Sequence, residues 1–274
     1  MKNFRNDGMN VTGNDNKVAL ITGGATGIGA CCSRAMAQRG YNIVINYFDY
    51  PEQAEKVVSE CENLGVRAIA VYGDVSADQE CRNVVARAVE TFGGIDALIC
   101  CAATTQFTQL TDLENQNSED FLRIYGVNVI GIYQMARASA PYLKKSNNGA
   151  IVNFSSIASQ NGSGSSLGYI ASKGAVNSLS FALAKMLAPN VRVNCVLPGF
   201  VNTNWFLDYV GQERLDQIKG EFAQNSALQD ICEPEEIAQA VVFLAIDATK
   251  TTGQLLLSDA GSTLGPSIEY SPTN

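Results

Sequence analysis

The chain has 274 residues, 46% of them apolar and 17% charged, enough for a sizeable core in one large or two small domains. Its net charge of -8 argues against nucleic acid as a partner, because phosphate binding needs clustered Lys and Arg. It contains no His, which removes Ser-His-Asp hydrolases and the usual zinc sites, and no apolar run reaches the length of a membrane span.

Residues 1–16 are polar, rich in Asn, Asp and Gly, and lack the apolar core of a signal peptide, so a disordered leader is expected there. Lys17–Thr22 is a continuous apolar run closed by Gly, the pattern of a buried strand. Thr22-Gly23-Gly24-Ala25-Thr26-Gly27-Ile28-Gly29 follows, then a helical pattern to about Arg39 that stops at Gly40. A Gly-rich turn between a strand and a helix lets backbone N–H groups and the helix N-terminus face a pyrophosphate. Strands are then expected at 41–46, 66–72 and 95–100, with helices from about Pro51 to Leu64 and from Ala77 to Phe92 between them. That alternation predicts a parallel sheet with helices on both faces.

A long helical pattern through Phe121 and Tyr142 contains Asn128. Gly149–Phe154 reads as the fifth strand and ends at Ser155-Ser156. A Gly/Ser-rich loop, 161–166, leads into a helix that carries Tyr169 and stops at Pro189. Val191–Val196 is the sixth strand, broken by Pro198-Gly199. The stretch from Phe200 to about Ile231, with Trp205, Phe206, Leu207, Tyr209, Val210 and Phe222 among polar residues, is unlike the rest. It suits a core segment, a mobile lid over an apolar substrate, or an oligomer contact. A helix from Glu233 and a short strand at 254–257 follow, and the tail from about Pro266 looks unstructured. With no repeat and no linker, residues 17–265 form one domain.

Tyr169 and Lys173 are four apart, so on a helix they share a face, one turn from each other. An ammonium beside a phenol favours the phenolate, which is expected to lower the Tyr169 pKa from about 10 toward working pH. A phenol tuned in that way exchanges a proton with an alcohol or ketone oxygen. The same spacing also arises by chance on helix surfaces. The eight Cys (31, 32, 61, 81, 100, 101, 195 and 232) have no metal-ligand spacing and read as small buried thiols of a reducing cytosol.

Together, Thr22–Gly29, Asp74, Asn128, Ser156, Tyr169, Lys173 and Pro198-Gly199 with Thr203 resemble the short-chain dehydrogenase/reductase family, its single-domain branch, over about 17–264. The resemblance implies a Rossmann-type doubly wound parallel sheet of about seven strands and an NAD(P)-dependent oxidoreductase interconverting a secondary alcohol and a ketone. It aligns Ser156, thirteen residues before Tyr169, with the family's catalytic Ser. Tyr169 would be the general acid or base, and Ser156 would hold the reacting oxygen. Lys173 would bind the nicotinamide ribose and tune Tyr169. Asn128 would sit at a helix irregularity and hold a water linking Lys173 to solvent. Asp74 would meet the adenine, cap the following helix, or do both. Pro198-Gly199 would close over the nicotinamide. Implied cofactor contacts are Thr22, Gly23, Thr26, Gly27, Ile28 and Gly29 in the first turn; Asn46 and Tyr47 after the second strand; Asp74 and Val75; Cys101 and Ala102; Tyr169 and Lys173; and Pro198, Gly199, Val201 and Thr203.

Cys100-Cys101-Ala102-Ala103 stands where the family usually has Asn-Asn-Ala-Gly, which puts cofactor affinity in question more than chemistry. Asn46 in place of an Asp, followed by Tyr47, leans slightly toward NADP over NAD, while Asp49 would oppose a phosphate if it faced inward. A cytoplasmic homotetramer is expected, or else a homodimer, with a small apolar alcohol or ketone as substrate. The rival is a non-catalytic NAD(P)-binding sensor on the same fold, for which only the altered 100–103 stretch speaks.

Overall fold

The central strands are apolar throughout because helices cover both faces of the sheet they form. In a computed structural model that describes residues 17–266, β1 (Val18–Thr22), β4 (Ala97–Cys100), β5 (Gly149–Phe154) and β6 (Val191–Pro198) are buried along their whole length. The expected leader, 1–16, and all but residue 266 of the expected tail lie outside the described residues. β2 (Asn42–Tyr47) is buried except at its ends, and β3 (Ala68–Tyr72) and β7 (Leu255–Ser258) are the partly exposed edges.

All neighbours are parallel, in the order β3-β2-β1-β4-β5-β6-β7. One face packs on α1 (Gly27–Gln38), α2 (Pro51–Glu62) and α9 (Pro234–Val242). The other packs on α3 (Asp78–Phe92), α5 (Gly131–Leu143) and α7 (Leu167–Leu187). The expected seven-stranded doubly wound sheet is therefore present. The strand order reverses between β1 and β4, where an open α/β sheet forms its ligand crevice. Thr22 is level with both Asn46 and Cys100, so the turns after β1, β2 and β4 open onto that one crevice.

Three local features bear on the site, the first being the irregularity expected at Asn128. The long helix around Asn128 is α4 (Ser118–Tyr125) and α5 joined by a π-helical turn, Gly126–Ile130. A short α6 (Ala158–Asn161), not expected from the sequence, precedes the Gly/Ser-rich loop that leads to α7. The irregular stretch after Gly199 folds into a 3-10 turn, Asn204–Phe206, and α8 (Leu207–Gln224). Gly211, at φ 74, breaks α8, which is why its apolar period is unreadable in the sequence.

Candidate active site

Tyr169 lies in the first turn of α7, whose N-cap, Ser166, accepts the Tyr169 backbone N–H at 3.2 Å. Lys173 follows one turn later and is almost wholly buried. Its Nζ sits 5.3 Å from the centre of the Tyr169 ring and donates to the Phe154 carbonyl at 2.9 Å. That carbonyl ends β5, so the strand fixes the ammonium. Ser156 stands two residues further, beside the phenol, with its Oγ accepting the Ala158 N–H at 3.2 Å. Ser155 is structural, since its hydroxyl donates to the Lys173 carbonyl at 2.9 Å.

The expected tuning of the phenol is corrected by this geometry. Tyr169 as a residue is half-buried, but its hydroxyl is enclosed, and burial pushes the phenol up to about 12. The neighbouring Ser156 hydroxyl pulls it down, and Lys173, pointing at Phe154, does not. Burial drives the Lys173 ammonium down to about 8.

Asn128 is fully buried in the π-helical turn. Its Oδ1 accepts the Thr104 N–H at 2.8 Å, and its Nδ2 donates to the Thr104 carbonyl and to Ser172 Oγ, both at 3.0 Å. Ser172 in turn donates to the Tyr169 carbonyl at 2.7 Å. The amide thus clamps the loop after β4 to the helix of Tyr169. Both its hydrogens are engaged, so a water beside Lys173 would have to use a remaining oxygen lone pair. Thr104, Ser166 and Ser172, which the sequence did not single out, belong to this support. Their only signal was position next to motif residues.

The Gly-rich turn is shaped for close approach. Gly23 and Gly27 have φ of 62 and 49, and a Cβ on Gly29 would overlap the Gly23 carbonyl oxygen. Thr22 Oγ1 accepts the Ala102 N–H at 3.1 Å, and a Cβ on Gly23 would meet Ala102 Cα at 2.9 Å. Thr26 caps α1 without a side-chain bond, and no acid lies in the first turn. The N–H groups of Gly27, Ile28 and Gly29 are thus left for an anion, as a dinucleotide pyrophosphate requires. Thr203 reaches over Gly27, its Cγ2 being 3.7 Å from where a Cβ on Gly27 would lie. Gly199 packs on the backbone of Asp259, and its N–H donates to the Ser258 carbonyl at 3.0 Å.

A family model described as enoyl-(acyl carrier protein) reductase matches residues 23–263. The chain belongs to the short-chain dehydrogenase/reductase family. It is an NAD(P)-dependent oxidoreductase that interconverts a secondary alcohol and a ketone. It is 37% identical to a granaticin polyketide synthase putative ketoacyl reductase 2 of Streptomyces violaceoruber, over 90% of this chain and 96% of that one. It is 30% identical to the 3-oxoacyl-[acyl-carrier-protein] reductase FabG of Staphylococcus epidermidis, over 90% and 98%. Among solved structures, a putative short-chain dehydrogenase/reductase from Burkholderia xenovorans superimposes with a TM-score of 0.85 at 36% identity, covering 92% of this chain and all (100%) of that one. An NAD+-bound xylitol dehydrogenase gives 0.82 at 27%, covering 90% and 99%. The comparisons lend no support to a non-catalytic sensor.

Within this short-chain dehydrogenase/reductase, several expected cofactor contacts have other partners. The Asn46 side chain lies on the α3 face of β2, and its Nδ2 donates to the Gly73 carbonyl at 2.9 Å. The amide does not face the ribose side of the crevice, because strand parity turns it away. The next residue, Tyr47, lies on the α1 face with Ile45, beside the Gly-rich turn. Asp74 Oδ1 accepts the Ser76 N–H at 2.8 Å, so it caps its own turn, whereas Ala77 is the N-cap of α3. Val75 is buried against Gly131, and its carbonyl accepts Gln134 Nε2 at 2.8 Å. Val201 is buried and bridges Cys232.

Ala103 is not among the residues with left-handed backbone, so a side chain there carries no backbone strain. Cys101 is half-buried, and burial pushes its thiol up to about 12, leaving it neutral. No helix among the described residues is long and apolar enough to cross a membrane.

Proposed function

We propose that the chain is an NADH-dependent reductase of apolar ketones in which Tyr169 gives the proton. The single observation that carries the reading is the convergence of Ser156, Tyr169 and Lys173 at the end of β5. A nicotinamide dinucleotide held along the Gly-rich turn, Thr22–Gly29, would supply the hydride. The Ser156 hydroxyl donates to the carbonyl oxygen and orients it. Tyr169 passes its phenolic proton to that oxygen as negative charge develops there. The Lys173 ammonium would hold the nicotinamide ribose hydroxyls, and the Ser156 hydroxyl beside the phenol is the group that favours its ionised form. Asn128, through Thr104 and Ser172, keeps the cofactor loop and α7 in register. A phenol at about 12 stays protonated at neutral pH, the form that reduction needs.

The ammonium is charged below about 8 and neutral above it. The ketone-reduction rate and NADH affinity should therefore both fall as pH rises through that value, while Tyr169 stays protonated. Rapid-mixing kinetics and NADH fluorescence between pH 6.5 and 10 check this, and a flat profile counts against the role of Lys173.

NADH is favoured because the stretch after β2 offers a 2′-phosphate no cation. Residues 40–55 contain no Lys or Arg, and Asp49 adds a negative charge. Phe48, 54% exposed, stacks on Tyr72 with ring centres 5.8 Å apart. Phe48→Arg would place a cation there. The NADPH-to-NADH ratio of kcat/KM should rise about tenfold or more, one charged pairing being worth about 1.5–3 kcal/mol. An unchanged ratio removes this edge from cofactor choice. Exposed Leu122 on α4, Tyr133 on α5 and Phe181 on α7 support a homotetramer, with a homodimer second.

A further inference from the structure

We infer that the substrate is a free, uncharged ring ketone rather than a thioester borne on a phosphate-bearing carrier arm; this rests on the reductase reading above. Two segments flank the catalytic side of the crevice. The first, 104–125, starts at the Thr104 clamped by Asn128 and runs beside the start of α7. There Thr108 N–H donates to the Ser165 carbonyl at 2.9 Å, and the Thr105 and Ser165 hydroxyls lie 2.5 Å apart. The second, 200–231, follows Pro198-Gly199 at the end of β6.

The two segments meet through aromatic rings. Phe107 from the first lies 5.2 Å, centre to centre, from Phe206 and 4.1 Å from Tyr209. Phe200 stacks on Phe206 at 5.2 Å and 15°, and on Phe222 at 4.8 Å and 30°. Five rings thus make one wall, and it is not sealed in the core: Tyr209 is 55% exposed and Phe222 37%. Ring faces and edges carry opposite partial charge, so such a wall rewards another flat ring in an offset or edge-on pose. A flexible aliphatic chain gains only buried area from it, and loses more rotamer freedom in doing so.

Charge on the same two segments points the same way. They hold nine carboxylates against three cations. Each cation is already paired: Arg123 with Asp120 at 3.0 Å and with Thr104 Oγ1, Arg214 with Glu221 at 2.8 Å, and Lys219 with Asp216 at 3.8 Å. An anionic arm arriving here would meet a net negative surface whose three cations already have carboxylate partners.

The test compares β-tetralone, a neutral bicyclic ketone, with ethyl acetoacetate, a small neutral one, and acetoacetyl-CoA, an anionic thioester. Steady-state kcat/KM is measured with NADH and with NADPH. β-Tetralone should exceed ethyl acetoacetate by about tenfold or more, with the thioester below both. Phe107→Leu keeps apolar volume and removes a ring, and should cut the β-tetralone preference about two- to tenfold. Tyr209→Leu should do the same, and it stands in if Phe107→Leu fails to fold. A thioester preference, or a ring preference untouched in a folded variant, overturns the inference while leaving the reductase reading in place. Absence of turnover on all three ketones overturns both.

Discussion

Tyr169→Phe should lower kcat for ketone reduction about a thousandfold, within the range that a positioned proton donor contributes. Only the hydroxyl is lost. The ring against which the Lys173 ammonium sits remains, and so does the backbone N–H bonded to Ser166. NADH affinity should stay within about threefold, because none of the Gly-rich turn is touched. kcat and kcat/KM should fall together, the mark of an interaction made only in the transition state. Stopped-flow NADH oxidation and equilibrium NADH fluorescence separate the two quantities. A variant retaining a tenth of wild-type turnover would show that another group supplies the proton.

The second large effect is structural. Gly29→Ala places a methyl group on the Gly23 carbonyl oxygen, and neither can move freely. Gly23 is itself held at φ 62 against Ala102, and Gly29 sits in the first turn of α1. Relief requires opening the turn, which should cost about 3 kcal/mol or more and lower Tm by about 6–12 °C. NADH affinity should fall with it, since the same N–H groups are the ones proposed to receive the pyrophosphate. Gly220→Ala is the control. It lies inside α8 with nothing near its Cβ position, and should stabilise by about 0.5–1 kcal/mol. Equal melting temperatures for Gly29→Ala and the wild type would refute the geometry of the turn.

What the sequence disclosed and what it withheld follow from the range of the forces involved. The strands and helices were legible because each apolar run ends at a local signal, such as Gly40, Gly65 or Pro189. Tyr169 and Lys173 were legible because helical spacing alone puts them on one face. Their electrostatics were not. The expected lowering of the phenol needed the direction of the Lys173 side chain, which is set by the Phe154 carbonyl nineteen residues upstream. Asn46 and Tyr47 show the same limit on a strand. Which of two neighbours faces the crevice depends on register with β1, and the amide falls on the far side. Phe107 stood alone in a polar loop and gave no periodic signal; only the fold brings it to Phe206 and Tyr209. α8 was hidden by Gly211, which breaks its period within its first two turns.

The eight thiols scattered through this fold make it a self-labelled reporter of its own breathing. Seven are buried, and they sit on α1, α2, α3, β4, β6 and the segment before α9, so nearly every layer of the molecule carries one. A buried neutral thiol is inert to alkylating reagents until its surroundings open. Timed exposure to iodoacetamide, followed by peptide mass spectrometry, would therefore rank the layers by the free energy of local opening, with no engineered probe. The half-buried Cys101, beside the Gly-rich turn, should be the thiol whose labelling slows when a dinucleotide binds.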